Sequence, residues 1–370
     1  MPKSETATTR TNAAATPSNR LGLDYEAEAA RFPAPADGII DVHTHVNGAE
    51  AARLYKRVAD LYGVRRTYSM TSLEQVETVR DVLGDRVRFI AVPNYTGKDR
   101  KYHHGVGYIQ RIEKFHALGA RIVKFWAAPR GLDYAREVGE PDLLRIDAPL
   151  RIRAMEVASE LGMSFMVHVS DPDTWFAKKY ADASVYGTKA QQYPPLEALL
   201  DRFEGPWIAA HMGGWPENLS FLTGLLQRHD NLYLDTSAAK WMLREISRQP
   251  RDELIGFLDC FRGRILFGSD ILTSDEHLTA GDATEMEAKA NSAAQAFDLY
   301  ASRYWALRTM WETDYRGPSP IADPDLAMVD PDRYGEMDAT DIAGKQVPPQ
   351  LLRSLYHDAA CALLDPIYEA

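Results

Sequence analysis

The stretch Ile39-Ile40-Asp41-Val42-His43-Thr44-His45 opens on β-branched apolar residues and closes on two imidazoles. Its shape recurs along the chain. Short runs rich in Val, Ile, Phe and Tyr come next at Arg66–Met70, Val87–Pro93, Arg121–Trp126, Ser164–Val169, Trp207–His211, Asn231–Thr236 and Arg264–Ser269, eight candidate strands in all. Between them, apolar residues take helical spacing over Ala51–Leu61, Leu73–Leu83, Tyr108–Leu118, Pro149–Leu161, Leu196–Phe203, Leu219–Arg228 and Asp252–Phe261. Gly119 and Gly162 stand just past two of these segments, where a helix C-cap favours glycine. Strands alternating with helices imply parallel pairing through right-handed crossovers. Eight such units in about 235 residues match the size of an α/β fold of the (β/α)8 type, a TIM barrel. A doubly wound open sheet is the alternative.

Residues 1–34 differ in composition from the rest of the chain. Met1–Arg20 is Thr, Ala, Ser and Asn with scattered charge and no apolar periodicity, so it reads as a disordered tail. It lacks the apolar core of a secretory signal, which makes the cytoplasm the expected compartment. Residues 35–370 read as one barrel domain whose last part, 271–370, is a helical and loop elaboration. There Thr284–Trp311 has the pattern of a long helix or a pair, covering either its own barrel or a partner subunit of a homo-oligomer. Leu351–Leu364 reads as a closing helix. The long connection Asp171–Pro195 comes after the fifth strand, on the face where barrel enzymes keep their active sites, and reads as a lid or substrate wall. The chain has 370 residues and a net charge of −11, which disfavours nucleic acid or an anionic membrane as its main partner. No apolar run is long enough to span a membrane, and Cys260 and Cys361 are too far apart in sequence for a CxxC pair, so they read as free, buried thiols.

The histidines carry the chemistry. In a strand, residues two apart point the same way, so His43 and His45 can enter the barrel mouth together. His168 ends the fifth strand, His211 the sixth, and Asp270 comes just after the eighth. Each is an ionisable group after an apolar run, the place where barrel enzymes put catalytic groups. Three imidazoles and a carboxylate are an ordinary ligand set for a divalent metal ion such as zinc.

These residues resemble the amidohydrolase superfamily, in particular the amidohydrolase-related branch that includes aminocarboxymuconate-semialdehyde decarboxylase. The resemblance spans about Asp37 to Leu364 and rests on Asp41–His45, His168, His211–Gly214, Asn231–Ser237 (NLYLDTS), Arg264–Asp270 (RILFGSD) and Tyr356–Leu364 (YHDAACALL). Asp358 stands where that branch more often has Asn. The resemblance implies a (β/α)8 barrel with a divalent metal held by His43, His45, His168 and Asp270, and with His211 near the reacting group. A bound zinc ion makes hydroxide available near neutral pH. Asp270 is then expected to take the proton of the water and pass it to the leaving group, and His211 to polarise the substrate oxygen by a hydrogen bond.

Lys124 lies mid-strand, an unusual place for a cation. It reads as a carboxylated bridge to a second metal, as a partner for a substrate carboxylate, or as half of an interior ion pair. Trp126 and Trp215 come after strands four and six and are expected to wall a pocket for a flat substrate. His103 and His104 read as residues of a polar loop. Lys178, Lys179 and Arg130 hint at a small, carboxylate-bearing substrate. Three functions compete: a metal-dependent hydrolase acting on a C–N or C–O bond of a small molecule, a metal-dependent non-oxidative decarboxylase, and a scaffold with a degenerate site.

Overall fold

The computed structural model describes residues 15–280 and 289–369. Nine strands, β1 (Ile39–His45), β2 (Val64–Ser69), β3 (Val87–Ala91), β4 (Ile122–Trp126), β5 (Ser164–His168), β6 (Trp207–Ala209), β7 (Leu232–Asp235), β8 (Ile265–Leu266) and β9 (Ile271–Leu272), form one parallel sheet. Their order is β8-β7-β6-β5-β4-β3-β2-β1-β9. β8 and β9 are two halves of a single stave, one pairing β7 and the other β1, so the sheet closes on itself. The seam is sewn by Val42 N–H to the Phe267 carbonyl at 2.9 Å and Asp270 N–H to the His43 carbonyl at 2.8 Å. This is the (β/α)8 barrel, not the open sheet.

Two strands stop earlier than their apolar runs predict, for one reason. His211 and Met212 take left-handed backbone angles (φ 59° and 51°), so β6 ends at Ala209. Asp270 does the same (φ 58°), splitting the eighth stave. Gly268 makes the split passable: a Cβ there would lie 2.9 Å from the Cβ atoms of both His43 and Ser237.

Alternation along each strand decides what faces inward. Phe125 packs against Tyr108 of the helix Val106–Ala117 and beneath Arg151 of the helix Pro149–Glu160. Its neighbours Lys124 and Trp126 therefore face the barrel interior, in register with Met166 and His168 of β5.

The elaboration covers its own barrel. The helix Ala293–Glu312 is buried along most of its length, and its Tyr304 hydroxyl donates to Asp41 Oδ2 at 2.8 Å. The other Asp41 oxygen accepts the N–H groups of His43 (3.1 Å) and Ser269 (3.0 Å), so one buried carboxylate ties β1 to the split stave and to that helix. Residues 281–288, where the expected Thr284–Trp311 helix begins, lie outside the described residues.

The tail expected through residue 34 does not extend that far. Tyr25 and Ala29, on the helix Tyr25–Ala29, are buried, and Asn19 holds Asp298 at 3.0 Å, because this segment has enough apolar surface to dock on the elaboration. Residues 1–14 lie outside the described residues. Cys260 is exposed and Cys361 half-buried, both free, contrary to the buried thiols expected. No helix among the described residues is long and apolar enough to cross a membrane.

Candidate active site

The carboxyl ends of the strands meet around a cavity of about 440 Å³ lined by His43, His45, Lys124, His168, His211 and Asp270. His43 and His45 arrive together from β1, as strand alternation requires. Asp270 Oδ1 faces both Nε2 atoms, at 3.4 Å from His43 and 3.2 Å from His45. Donor atoms of these three residues lie within 4.8 Å of one another, close enough to share one cation. Burial works against the charge on Asp270, yet the facing imidazoles hold its carboxyl well below the usual range. This donor set suits a divalent metal ion.

His168 stands apart from that tight group. Its ring lies 4.6 Å from that of His211, but its Nε2 is hydrogen-bonded to Asp171 Oδ1 at 3.0 Å. His211 packs 4.9 Å from the His43 ring. Burial, aided by His168, keeps His211 neutral by holding its pKa well below the usual imidazole value.

Two residues quoted in the NLYLDTS stretch, but given no role by the sequence, organise these histidines. Asp235 is fully buried at the end of β7; His43 Nδ1 lies 2.8 Å from its Oδ2, and its Oδ1 accepts the N–H groups of His211 (2.9 Å) and Ser237 (3.0 Å). Burial alone would raise its pKa, but the charge and hydrogen bond of His43 pull it well below the usual carboxylate range, so it is an acceptor only. The Ser237 hydroxyl donates its one proton to Asp235 and so must accept from His211 Nδ1 at 2.8 Å. His43 Nδ1, facing the Asp235 carboxylate and the same hydroxyl oxygen (3.0 Å), must likewise donate. Both rings thus carry a proton on Nδ1, an assignment made from the network; neutral His211 keeps a bare Nε2 lone pair, whereas for His43, against the opposing effect of burial, Asp235 and Asp270 raise the pKa, and its Nε2 faces the Asp270 carboxylate. A sequence signal for Asp235 was present: it ends an apolar run just as His168 does.

Neutral His211 therefore offers a lone pair rather than an N–H from Nε2, unlike the donor expected for polarising a substrate oxygen.

Among the described residues, Lys124 has no interior ion-pair partner. It is 4% exposed, and its Nζ makes no hydrogen bond among the described residues. Burial pulls its pKa down to about 8, against the opposing fields of Asp235 and Asp270.

Trp126 lines the cavity. Trp215 does not: it stacks on Tyr193 at 5.6 Å and packs against Phe221, because the left-handed turn at His211–Gly214 carries the chain away from the mouth. Nor does the connection 171–195 contribute to the cavity. It is pinned by Trp175 Nε1 to Asp325 (2.8 Å), Tyr180 to Asp171 (2.7 Å) and Lys189 to Asp173 (2.8 Å). Lys178 is exposed, Lys179 sits over the Trp175 ring and Arg130 over Tyr134, so none of the three lines the cavity. The outer wall comes instead from the segments after β3 and β4: Tyr95, Arg100, His104, Trp126, Tyr134 and Leu144. His104, which the sequence assigns to a polar loop, is 8% exposed.

Known proteins place this arrangement. The amidohydrolase family model matches residues 40–365. No curated protein matches the chain. Among solved structures, the apo form of Agrobacterium tumefaciens ATU3138 is similar at 13% identity and a TM-score of 0.40, over 74% of this chain and 94% of that one. A second, described as an uncharacterized protein, is similar at 12% identity and a TM-score of 0.29, over 83% of this chain and 77% of that one. Members of the matched family are generally enzymes and typically use divalent metals. With a family model covering almost the whole barrel, and its metal-type donors gathered at the barrel mouth, this chain belongs to the amidohydrolase family.

Proposed function

We propose that this protein is a metal-dependent hydrolase that cleaves a C–N or C–O bond of a small molecule. His43, His45, His168 and Asp270 would hold the divalent ion, with zinc the natural occupant of such a nitrogen and carboxylate set. When bound, that ion supplies Lewis acidity, acidifying a water and polarising a carbonyl.

The observation that carries hydrolysis is Lys124, a buried amine without a partner in the cavity that the site histidines line. A bare cation beside a metal is unfavourable; a carboxylated lysine is an anion with two oxygen donors. In forming it, the Nζ lone pair adds to the carbon of carbon dioxide and one N–H proton is released, making a C–N bond. The product suits a second cation alongside His211. Asp270 is placed to take a proton from the attacking water and return it to the leaving atom, and the bare Nε2 of His211 to accept a hydrogen bond or a proton.

The same amine left unmodified fits a substrate carboxylate. That arrangement favours a second reading, a non-oxidative decarboxylase of the aminocarboxymuconate-semialdehyde type. Elemental analysis of protein purified without chelator, paired with the intact mass of the metal-loaded chain, separates the two. Close to two metal equivalents and an added mass of one carbon dioxide are expected. One equivalent with an unmodified Lys124 would favour the decarboxylase, and no metal, with none regained on adding it back, would sink both.

A further inference from the structure

The cavity has two unlike halves. Its floor carries the histidines, Asp270 and Lys124; its outer wall carries four aromatic rings. Trp126 and Tyr134 meet edge to face with centroids 5.6 Å apart, and Tyr95 and His104 lie 5.6 Å apart at 57°. Such a wall presents π faces to whatever lies between it and the floor, with Tyr95, 46% exposed, at its solvent edge.

The polar tips of these rings are unspent. Among the described residues, neither ring nitrogen of His104 has a hydrogen-bond partner, and neither do the hydroxyls of Tyr95 and Tyr134 nor the indole N–H of Trp126. His104 is delivered to the wall by the short helix Arg100–His104. Its burial, with Arg151 and Arg100 nearby, lowers its pKa to about 4, so it is a neutral imidazole with one donor and one acceptor. Of the cations near this wall, Arg100 is paired with Glu137 and lies over the Tyr134 ring at 4.7 Å, while Arg151, buried behind Phe125, leaves its Nη1 without a hydrogen-bond partner among the described residues. The rings and the unpaired imidazole of His104 serve a flat, hydrogen-bonding group.

We propose that Tyr95, His104, Trp126 and Tyr134 form the recognition subsite of this cavity, that it takes a planar conjugated ring, and that His104 reads a neutral polar atom on that ring. The proposal rests on the reading of the cavity as the substrate site of a metal-dependent hydrolase. It makes His104 a specificity-determining residue on the wall opposite the reacting end.

The test compares two neutral lactams of one skeleton, quinolin-2-one and its ring-saturated analogue decahydroquinolin-2-one, titrated against the full-length, metal-loaded protein by ligand-observed NMR. The planar lactam is expected to bind about tenfold tighter, the gain that ring stacking gives over equal contact area. Trp126→Leu should reduce that preference at least about threefold, and Tyr134→Leu serves the same purpose if the first variant does not fold. His104→Phe should keep the planar preference while weakening both lactams about threefold to tenfold, the loss of one hydrogen bond. Equal binding of the two lactams, no binding of either, or variants with wild-type affinities would overturn the subsite. Metal equivalents on the same samples read the hydrolase proposal separately. A protein that takes up no metal but keeps the planar preference overturns that proposal alone, and a metal-loaded protein without the preference overturns the subsite alone.

Discussion

Replacing Asp235 by asparagine changes one atom of a buried carboxylate and, through it, the proton position on His43. Oδ1 of Asp235 accepts two backbone N–H groups, at 2.9 Å and 3.0 Å, so the amide oxygen of asparagine must occupy that side. Its NH2 group then faces His43 Nδ1, where the carboxylate oxygen now sits 2.8 Å away. A donor facing Nδ1 forces the imidazole proton onto Nε2, the atom that points at Asp270. His43 would lose its ligand lone pair without any change of shape. Residues that orient metal-ligating histidines are worth about 10–100-fold in metal affinity, and Asp235→Asn is expected at the upper end because it inverts the tautomer. Asp235→Ala behaves differently: it strands the N–H groups of His211 and Ser237, at about 1–3 kcal/mol each, so it should also lower the stability of the metal-free protein by about 2–6 kcal/mol. Competition against a chromophoric chelator measures the first quantity, and urea unfolding of the metal-free protein the second. Wild-type metal affinity in a folded Asp235→Asn protein would refute the proton assignment.

Lys124→Met is expected to stabilise the metal-free protein at neutral pH. The folded Lys124 has a pKa of about 8 against an ordinary 10.5, so the unfolded state holds the proton more tightly, and below about 8 the folded state carries a penalty of about 3 kcal/mol. That penalty fades as pH rises from about 8 to 10.5, so urea-unfolding curves of wild type and variant should converge over that range; parallel curves would contradict the burial of a bare amine. Gly214→Ala should cost on the order of 2–4 kcal/mol, since φ is +77° and the new Cβ would lie 2.3 Å from the Ser170 carbonyl oxygen. A thermal midpoint unchanged from wild type would show that the turn after β6 is free to move.

The parts of the barrel legible in sequence are those where one local rule suffices. β5 carries His168 on regular strand geometry, and β1 carries His43 and His45 two residues apart although its pairing with β2 is irregular between Asp41 and Thr44, so alternation still places all three at the mouth. The helix Trp241–Arg248 escaped because its segment comes after a left-handed residue, Ala238, and buries Arg244 and Glu245 in an ion-pair network with Asp323, which blurs the apolar stripe. Trp215 was misplaced because the backbone at His211 and Met212 departs from the strand, and the modest left-handed preference of histidine does not mark one that ends an apolar run. His104 was missed for the opposite reason. Its neighbours Asp99, Arg100, Lys101 and His103 are polar, and only tertiary packing turns one residue of a polar helix into a cavity wall.

The left-handed residues and the hydrogen-bonded network belong to one device. A strand can aim a side chain along or against the sheet normal but not across the barrel mouth, so His211 and Asp270, which face His43 from the sixth and eighth staves, leave strand geometry to do it. A non-glycine residue in that conformation costs roughly 1–2 kcal/mol. The turn at His211 and Met212 holds two such residues, roughly 2–4 kcal/mol together, and the His211 N–H bond to the Asp235 carboxylate returns about 1.5–3 kcal/mol of that. The Asp270 N–H, bonded to the His43 carbonyl, is a neutral pair worth about 1 kcal/mol and only roughly balances its own strain. The prediction is asymmetric because the His211 turn is tied to the Asp235 carboxylate without any metal, whereas the Asp270 carboxylate is itself one of the donors that would share a cation with the two β1 imidazoles. Metal binding should therefore increase amide-exchange protection at Asp270–Leu272 more than at His211–Gly214.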